Sequence, residues 1–347
     1  MGRLSLGRPI SWMLIGFISL ITSQAGRSAD FERIKFFTFD KVEIHGTFYP
    51  SDKGPKAPCA ILLHEIGGNS EKEGWSDLAR KLQKEKGLAV LTFDFRGHGD
   101  STNVDPDSFW LDQVNRTLKS FRPGKLKDQI SYKDFSSALQ FATMVNDIVA
   151  AKLYLDRRSE AGDCNSNNLV VLGGESGAAL GALWVFDAWQ RIRPVSVFSG
   201  APITQQRREG EDIACGVWLT ITPTLGPSGS RFTVPVDKWI GSPIRDKVPM
   251  YFLYGEQDTR GATYTKRLLD VLSRGIQESK IKLTGKHAIK DTKLAGRELL
   301  GKSSLGTEEI ILKYVATVLE NRIPNPRPKG DVGMGLVRVQ VERLPLR

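Results

Sequence analysis

The chain has 347 residues, 40% of them hydrophobic and 25% charged, with a formal net charge of +10. That length fits one large α/β domain with appendages, and the balance is that of a globular chain rather than a disordered one. The charge does not mark a nucleic-acid binder: residues 1–25 hold net +2 and residues 322–347 net +4, while the other basic residues are scattered rather than banked with aromatics.

The N-terminus reads as a leader. Arg3 and Arg8 precede an apolar run over residues 10–22, and small residues Ser23 and Ala25 follow, which is the pattern of a secretory signal. The run is shorter than the roughly 20 residues a spanning helix needs. Residues 1–25 are therefore predicted to be a signal peptide cut after Ala25, with Ala29 as the second site. The mature protein is expected to be exported, periplasmic or secreted, with no stable membrane span. An uncleaved membrane anchor is the alternative. Three cysteines, Cys59, Cys164 and Cys215, are too few for a disulfide framework, although one pair in an exported chain can bridge. Cys59 and Cys215 sit in strand-like apolar stretches. No Cys/His cluster has metal-ligand spacing, so no metal or cofactor is expected.

Residues 32–50 alternate apolar and polar side chains, predicting an antiparallel strand pair. Residues 57–63 predict a buried strand ending at His64, and 70–86 a helix with Trp75, Leu78, Ala79 and Leu82 on one face. Residues 88–95 predict a second buried strand, running into the loop RGHGDS. A long helix is expected over 131–158, then a strand over 168–173 leading into a helix. Further strands are expected over 211–223, 248–254 and 279–284, with helices over 262–276 and 308–319. This alternation of apolar strands and helices implies a mainly parallel sheet covered on both faces. Stretches 102–130, 191–212 and 224–245 interrupt it and read as lid-like insertions, carrying or adjoining Phe109, Trp110, Trp218 and Trp239. The domain is thus expected over residues 30–322, followed by a flexible basic tail over 323–347 that is rich in proline and glycine.

The sharpest motif is LVVLGGESGAALGALW, residues 169–184: strand, tight turn, helix, with Ser176 at the turn. In parallel sheets chemistry gathers at the carboxyl ends of strands. A serine hydroxyl needs a base, and of His45, His64, His98 and His287 only His287 follows the last strand at that edge without an evident local role. Asp258, in YGEQD after the strand 248–254, is the expected acid, with Glu256 in reserve. The order Ser176, Asp258, His287 is that of nucleophile-elbow hydrolases.

Together HEIGGN, DFRGHGDS, GGESGA, YGEQD and the late GKH resemble the α/β-hydrolase superfamily over roughly residues 35–322. DFRGHGDS and YGEQD are similar to monoglyceride lipases and serine aminopeptidases; HEIGG resembles the HEIxG turn of dienelactone hydrolases. The resemblance implies an eight-stranded, mostly parallel sheet with helices on both faces. It implies a Ser176-His287-Asp258 triad with an oxyanion hole from the Gly177 and Ile66 N–H groups. Glu65 is expected either to point into the site and tune Ser176 or His287, or to pair with Arg96 or face solvent. The expected activity is serine hydrolysis of a small-molecule carboxylic ester or related acyl bond, closer to carboxylesterase or lipase than to peptidase, through an acyl-enzyme. The chain departs from the pattern at Ala178, where glycine is usual, and at Glu175, where histidine is frequent. A non-catalytic binding protein on the same fold is the rival reading; a serine peptidase or an acyltransferase are further ones.

Overall fold

A computed structural model describes residues 30–72, 74–195, 205–241, 243–274, 283–323 and 336–347. The leader and the first part of the tail lie outside them. In chain order the elements are β1 (Glu32–Phe37), β2 (Glu43–Tyr49), β3 (Pro58–Leu63), α1 (Trp75–Lys86), β4 (Ala89–Phe93) and α2 (Pro106–Phe109). Then come α3 (Ala138–Ala142), α4 (Val145–Glu160), β5 (Asn165–Gly174), α5 (Glu175–Gln190), β6 (Ile192–Val195) and β7 (Gln205–Arg208). The last are β8 (Ile213–Leu219), α6 (Val236–Ile240), β9 (Met250–Gly255), α7 (Thr259–Ser273), β10 (Gly285–Ile289) and α8 (Thr307–Asn321).

Eight strands make one sheet in the order β1-β2-β4-β3-β5-β8-β9-β10, and β6 with β7 forms a separate antiparallel pair. β1 and β2 enter antiparallel, and from β4 to β10 every neighbour is parallel. β4, β5 and β8 are buried along their whole length, because helices cover both faces of the sheet. One apolar layer joins the sheet to α4, α5, α6 and α7, and the other to α1 and α8. In α1, Trp75, Leu78, Ala79 and Leu82 form the buried stripe, and Gly87 ends the helix in the left-handed conformation with its N–H on the Gln83 carbonyl.

Several boundaries differ from the sequence reading. The single helix expected over 131–158 divides into a 3₁₀ turn, α3 and α4. Ser131 and Ser137 each accept a backbone N–H as caps, and so restart the chain twice. The tail expected to be flexible is docked over residues 336–347. There Val339 and Val341 are buried, the Val339 N–H donates to Asn146 Oδ1 at 2.7 Å, and Trp239 Nε1 donates to the Pro345 carbonyl at 2.8 Å. Alternation of Val337, Val339 and Val341 with polar residues is the sequence signal for that docking. Among the described residues no helix is long and apolar enough to cross a membrane.

Candidate active site

The carboxyl ends of β3, β5, β8 and β9 meet at one edge. There β5 turns into α5 through Glu175, which takes φ +49, a left-handed conformation unusual for a side chain of its size. Glycines stand two residues to either side. A Cβ on Gly173 would lie 2.7 Å from Ala178 Cα, and one on Gly177 would collide with the His64 carbonyl oxygen at the end of β3. The strained turn is therefore centred on Glu175, not on Ser176, and the small-residue frame is Gly173-x-Glu175-x-Gly177. Both glycines are legible in the sequence, but the serine beside them sets the frame one residue too far along. This corrects the placing of Ala178 at the fifth position of the motif.

The shift by one residue moves each partner. Ser176 is buried in the first turn of α5, and its Oγ accepts the Ile66 N–H at 2.8 Å. The N–H directly after the turn belongs to Ser176 rather than Gly177. Ile66 and Ser176 are thus brought together, with the Ile66 donor bonded to the hydroxyl.

His287 lies within β10, not in a loop beyond it. It is in register with Leu253, Leu253 with Leu219, and Leu219 with Gly174. Three strand spacings of about 4.8 Å put it about 14 Å along the sheet from the turn. Ser176, Asp258 and His287 share no hydrogen bond or ion pair among the described residues. The strand expected over 279–284 begins instead at Gly285, and residues 279–282 lie outside the described residues.

The segment after β10 is the one that reaches the turn. Gly296, at φ +53, sits so close to Glu175 that a Cβ on it would lie 2.5 Å from Glu175 Cγ. Residues 290–299, KDTKLAGREL, contain no histidine. Arg297 follows, with Nε 3.5 Å from Glu65 Oε1. Glu65 thus lies at the turn, and it does not pair with Arg96, which is fully buried between Asp40 and Asp147. Burial holds the Glu175 carboxyl above its ordinary value, reinforced by Glu65 and Glu298 and opposed by Arg297.

Asp258 caps α7, its Oδ1 accepting the Gly261 N–H at 3.0 Å, while Oδ2 is buried with no hydrogen-bond partner. Glu256 is exposed and accepts the Asp291 N–H at 3.2 Å. Thr220, directly after β8, is buried at φ +46, and its Oγ1 also has no partner. A β-branched residue in that conformation is strained. Gly261 brings the two close, since a Cβ there would lie 3.0 Å from Thr220 Cγ2 and against Asp258 Oδ2.

The other histidines are structural. His64 Nε2 accepts the Phe95 N–H at 3.0 Å, and Nδ1 lies 2.7 Å from the Glu65 carbonyl. His98 Nε2 accepts the Gly67 N–H at 2.9 Å, and the ring stacks on Tyr132. Burial, with His64 close by, pushes His98 down to about 3, so it stays neutral and braces HEIGG against RGHGDS. His45 lies 2.7 Å from Glu43 Oε1 in β2. Phe109, Trp110, Trp218 and Trp239 are all buried in packing rather than lining an open pocket.

The sheet order and the strand-turn-helix edge define the α/β-hydrolase fold. Solved structures support this: an esterase from Pyrococcus furiosus superposes with a TM-score of 0.52 at 13% identity, covering 83% of this chain and 90% of that one. Fungal esterases from Rhizomucor miehei are similar at 0.51 and 12%, over 84% of each chain. Est1E from Butyrivibrio proteoclasticus, solved with ferulic acid bound, gives 0.50 and 12%, over 84% of this chain and 99% of that one. No family model matches the chain, and no curated protein matches it.

Proposed function

We propose that this protein uses the α/β-hydrolase fold to bind a small polar molecule at the carboxyl edge of its sheet, without cleaving esters through a serine triad. The observation that carries this is Glu175 in the strained turn with Gly296 packed against it. A carboxylate stands where a hydrolase places its nucleophile, and the segment that would bring the base brings a residue without a side chain. Asp258 Oδ2, Thr220 Oγ1 and Glu65 Oε2 are buried oxygens with unused hydrogen-bonding capacity at the same edge. The fold does not by itself decide between binding and catalysis.

A second reading has one observation in its favour. Ile66 N–H lies 2.8 Å from Ser176 Oγ, so an ester hydrolase acting through Ser176, His287 and Asp258 would have one oxyanion donor beside its nucleophile. Fluorophosphonate labelling and a p-nitrophenyl ester chain-length series, run on the protein and on Ser176→Ala beside a control esterase, separate the two. The binding reading expects no adduct and identical background rates. An adduct at Ser176, with turnover lost in Ser176→Ala, establishes the hydrolase. Export is proposed on the leader pattern of residues 1–25, and N-terminal sequencing of the mature protein tests it.

A further inference from the structure

We propose that the loop over residues 116–127 docks the protein on an anionic lipid surface, its cations meeting the headgroups and an exposed leucine at its tip entering the interface. The inference is independent of what the turn at Glu175 binds. Those twelve residues, RTLKSFRPGKLK, hold Arg116, Lys119, Arg122, Lys125 and Lys127, and no acidic residue. All five cations are exposed, and none forms an ion pair among the described residues. Of the acidic residues that flank them, Asp112 is held by Arg338 at 2.7 Å and Asp134 accepts the Ser131 N–H at 3.1 Å, while Asp128 is exposed. The loop is therefore left with an excess of positive charge.

The same surface carries apolar side chains that the fold leaves uncovered. Leu126 is 43% exposed between Lys125 and Lys127, and Leu111 is 70% exposed. Buried Trp110 gathers these residues into one patch. Its Nε1 donates to the Lys127 carbonyl at 2.8 Å, its carbonyl accepts from Arg116 Nε, and its ring lies 5.3 Å from that of Phe121. Further bonds brace the loop: Gln140 Nε2 donates to the Thr117 carbonyl at 2.7 Å, and the Lys119 N–H to the Asp134 carbonyl at 3.1 Å. Gly124, at φ +76, turns the tip in open space, since a Cβ there would meet nothing within 4 Å. A braced loop with an open tip presents its charges and its leucine at little cost in ordering.

Charge alone would suit a soluble polyanion as well as a lipid, and the apolar residues decide between them. A nucleic acid needs aromatic faces on which its bases stack. The loop's one aromatic ring, Phe121, is half-buried against Trp110. A leucine flanked by lysines instead suits the headgroup boundary. There the apolar side chain enters the acyl region while the ammonium groups stay with the phosphates. The loop also adjoins the carboxyl edge of the sheet. Tyr132, just beyond it, stacks on His98, and a Cβ on Gly67 of HEIGG would touch the Tyr132 ring at 3.8 Å. Docking through this loop turns that edge toward the lipid.

The test uses the chain from Gly26, which keeps every described element and lacks the apolar run of residues 10–22 that would bind vesicles by itself. This protein is expected to sediment with mixed phosphatidylglycerol–phosphatidylcholine vesicles but not with phosphatidylcholine alone, and to be released by salt. Lys119→Gln, Lys125→Gln and Lys127→Gln together should weaken binding about 100-fold, at roughly fivefold for each lysine near an anionic surface. Leu126→Ser should weaken it roughly tenfold, for about half of a leucine side chain leaving water. Both variants change exposed side chains, so their thermal unfolding should match the wild type. A polarity-sensitive dye attached at Leu126→Cys should shift to the blue on anionic vesicles, and the three native thiols are buried away from the label. No sedimentation, equal sedimentation on both vesicle types, or binding unchanged in the lysine variant overturns the proposal. So does a dye that stays unshifted while the protein sediments. Loop-dependent binding to a single-stranded oligonucleotide or to polyglutamate, with none to vesicles, also overturns it and assigns a soluble polyanion instead.

Discussion

At the scale of single residues, Glu175 and Gly296 depend on each other. Alanine at Gly296 costs about 1–2 kcal/mol for the left-handed conformation alone, and its methyl group also meets Glu175 Cγ. Gly296→Ala is therefore expected to lose more stability in the wild type than in a Glu175→Ala background, with a coupling of about 0.5–3 kcal/mol in urea denaturation. Equal losses in the two backgrounds would refute the contact. The carboxyl also has a pH signature. Its folded pKa is raised above the ordinary 4.5, so the native state holds that proton more tightly than the unfolded chain. The associated stability is fully present below pH 4.5 and is lost as pH rises through the folded value. Glu175→Gln, which cannot ionise, is expected to be more stable than the wild type at pH 7. The two should converge below pH 4.5, as read by thermal unfolding across pH.

At the scale of elements, the turn from β5 into α5 decides which residue faces the site. If the frame is Gly173-x-Glu175-x-Gly177, alanine at Gly177 must push α5 off the end of β3, because its methyl group meets the His64 carbonyl. A loss of about 1–3 kcal/mol is expected from that overpacking. Ala178→Gly should cost only the roughly 0.5–1 kcal/mol of a glycine within a helix. The opposite ranking in urea midpoints would restore the frame centred on Ser176. The strands were legible because buried parallel strands are apolar runs ending in recognisable loops. HEIGG, RGHGDS and YGEQD were likewise readable as the carboxyl edge. What composition and periodicity do not encode is a one-residue choice of turn centre, since neither Glu175 nor Ser176 carries a turn preference that marks it as the strained residue. The base was misplaced for a related reason: Lys286, His287 and Ala288 carry no turn signal, so nothing in the sequence separated a loop histidine from one inside the edge strand.

At the scale of the whole molecule, residues 336–347 of the basic C-terminal end are part of the fold rather than an appendage. Arg322 donates to the Ile213 carbonyl at 2.9 Å, and Arg338 pairs with Asp112 at 2.7 Å and also with Glu342. Some of the excess positive charge thus serves docking, which fits the absence of a basic stripe in the sequence. The Asp112 pair is partly exposed, so it contributes at most about 1 kcal/mol. Apolar burial contributes more, since Val339 and Val341 leave water at 3% and 1% exposure, and a fully buried valine is worth roughly 1.5–3 kcal/mol. Removing residues 336–347 also leaves Trp239 Nε1 and Asn146 Oδ1 without the partners they have in the intact chain. The truncated protein is therefore expected to lose on the order of 3 kcal/mol. For a domain of this size that is roughly 5 °C in melting temperature. Arg338→Ala alone should move it far less, because the pair it breaks is partly hydrated while the valines remain buried. If truncation and Arg338→Ala gave the same shift, the segment would be held by charge rather than by its two valines, and a strong salt dependence of the intact protein's stability would follow.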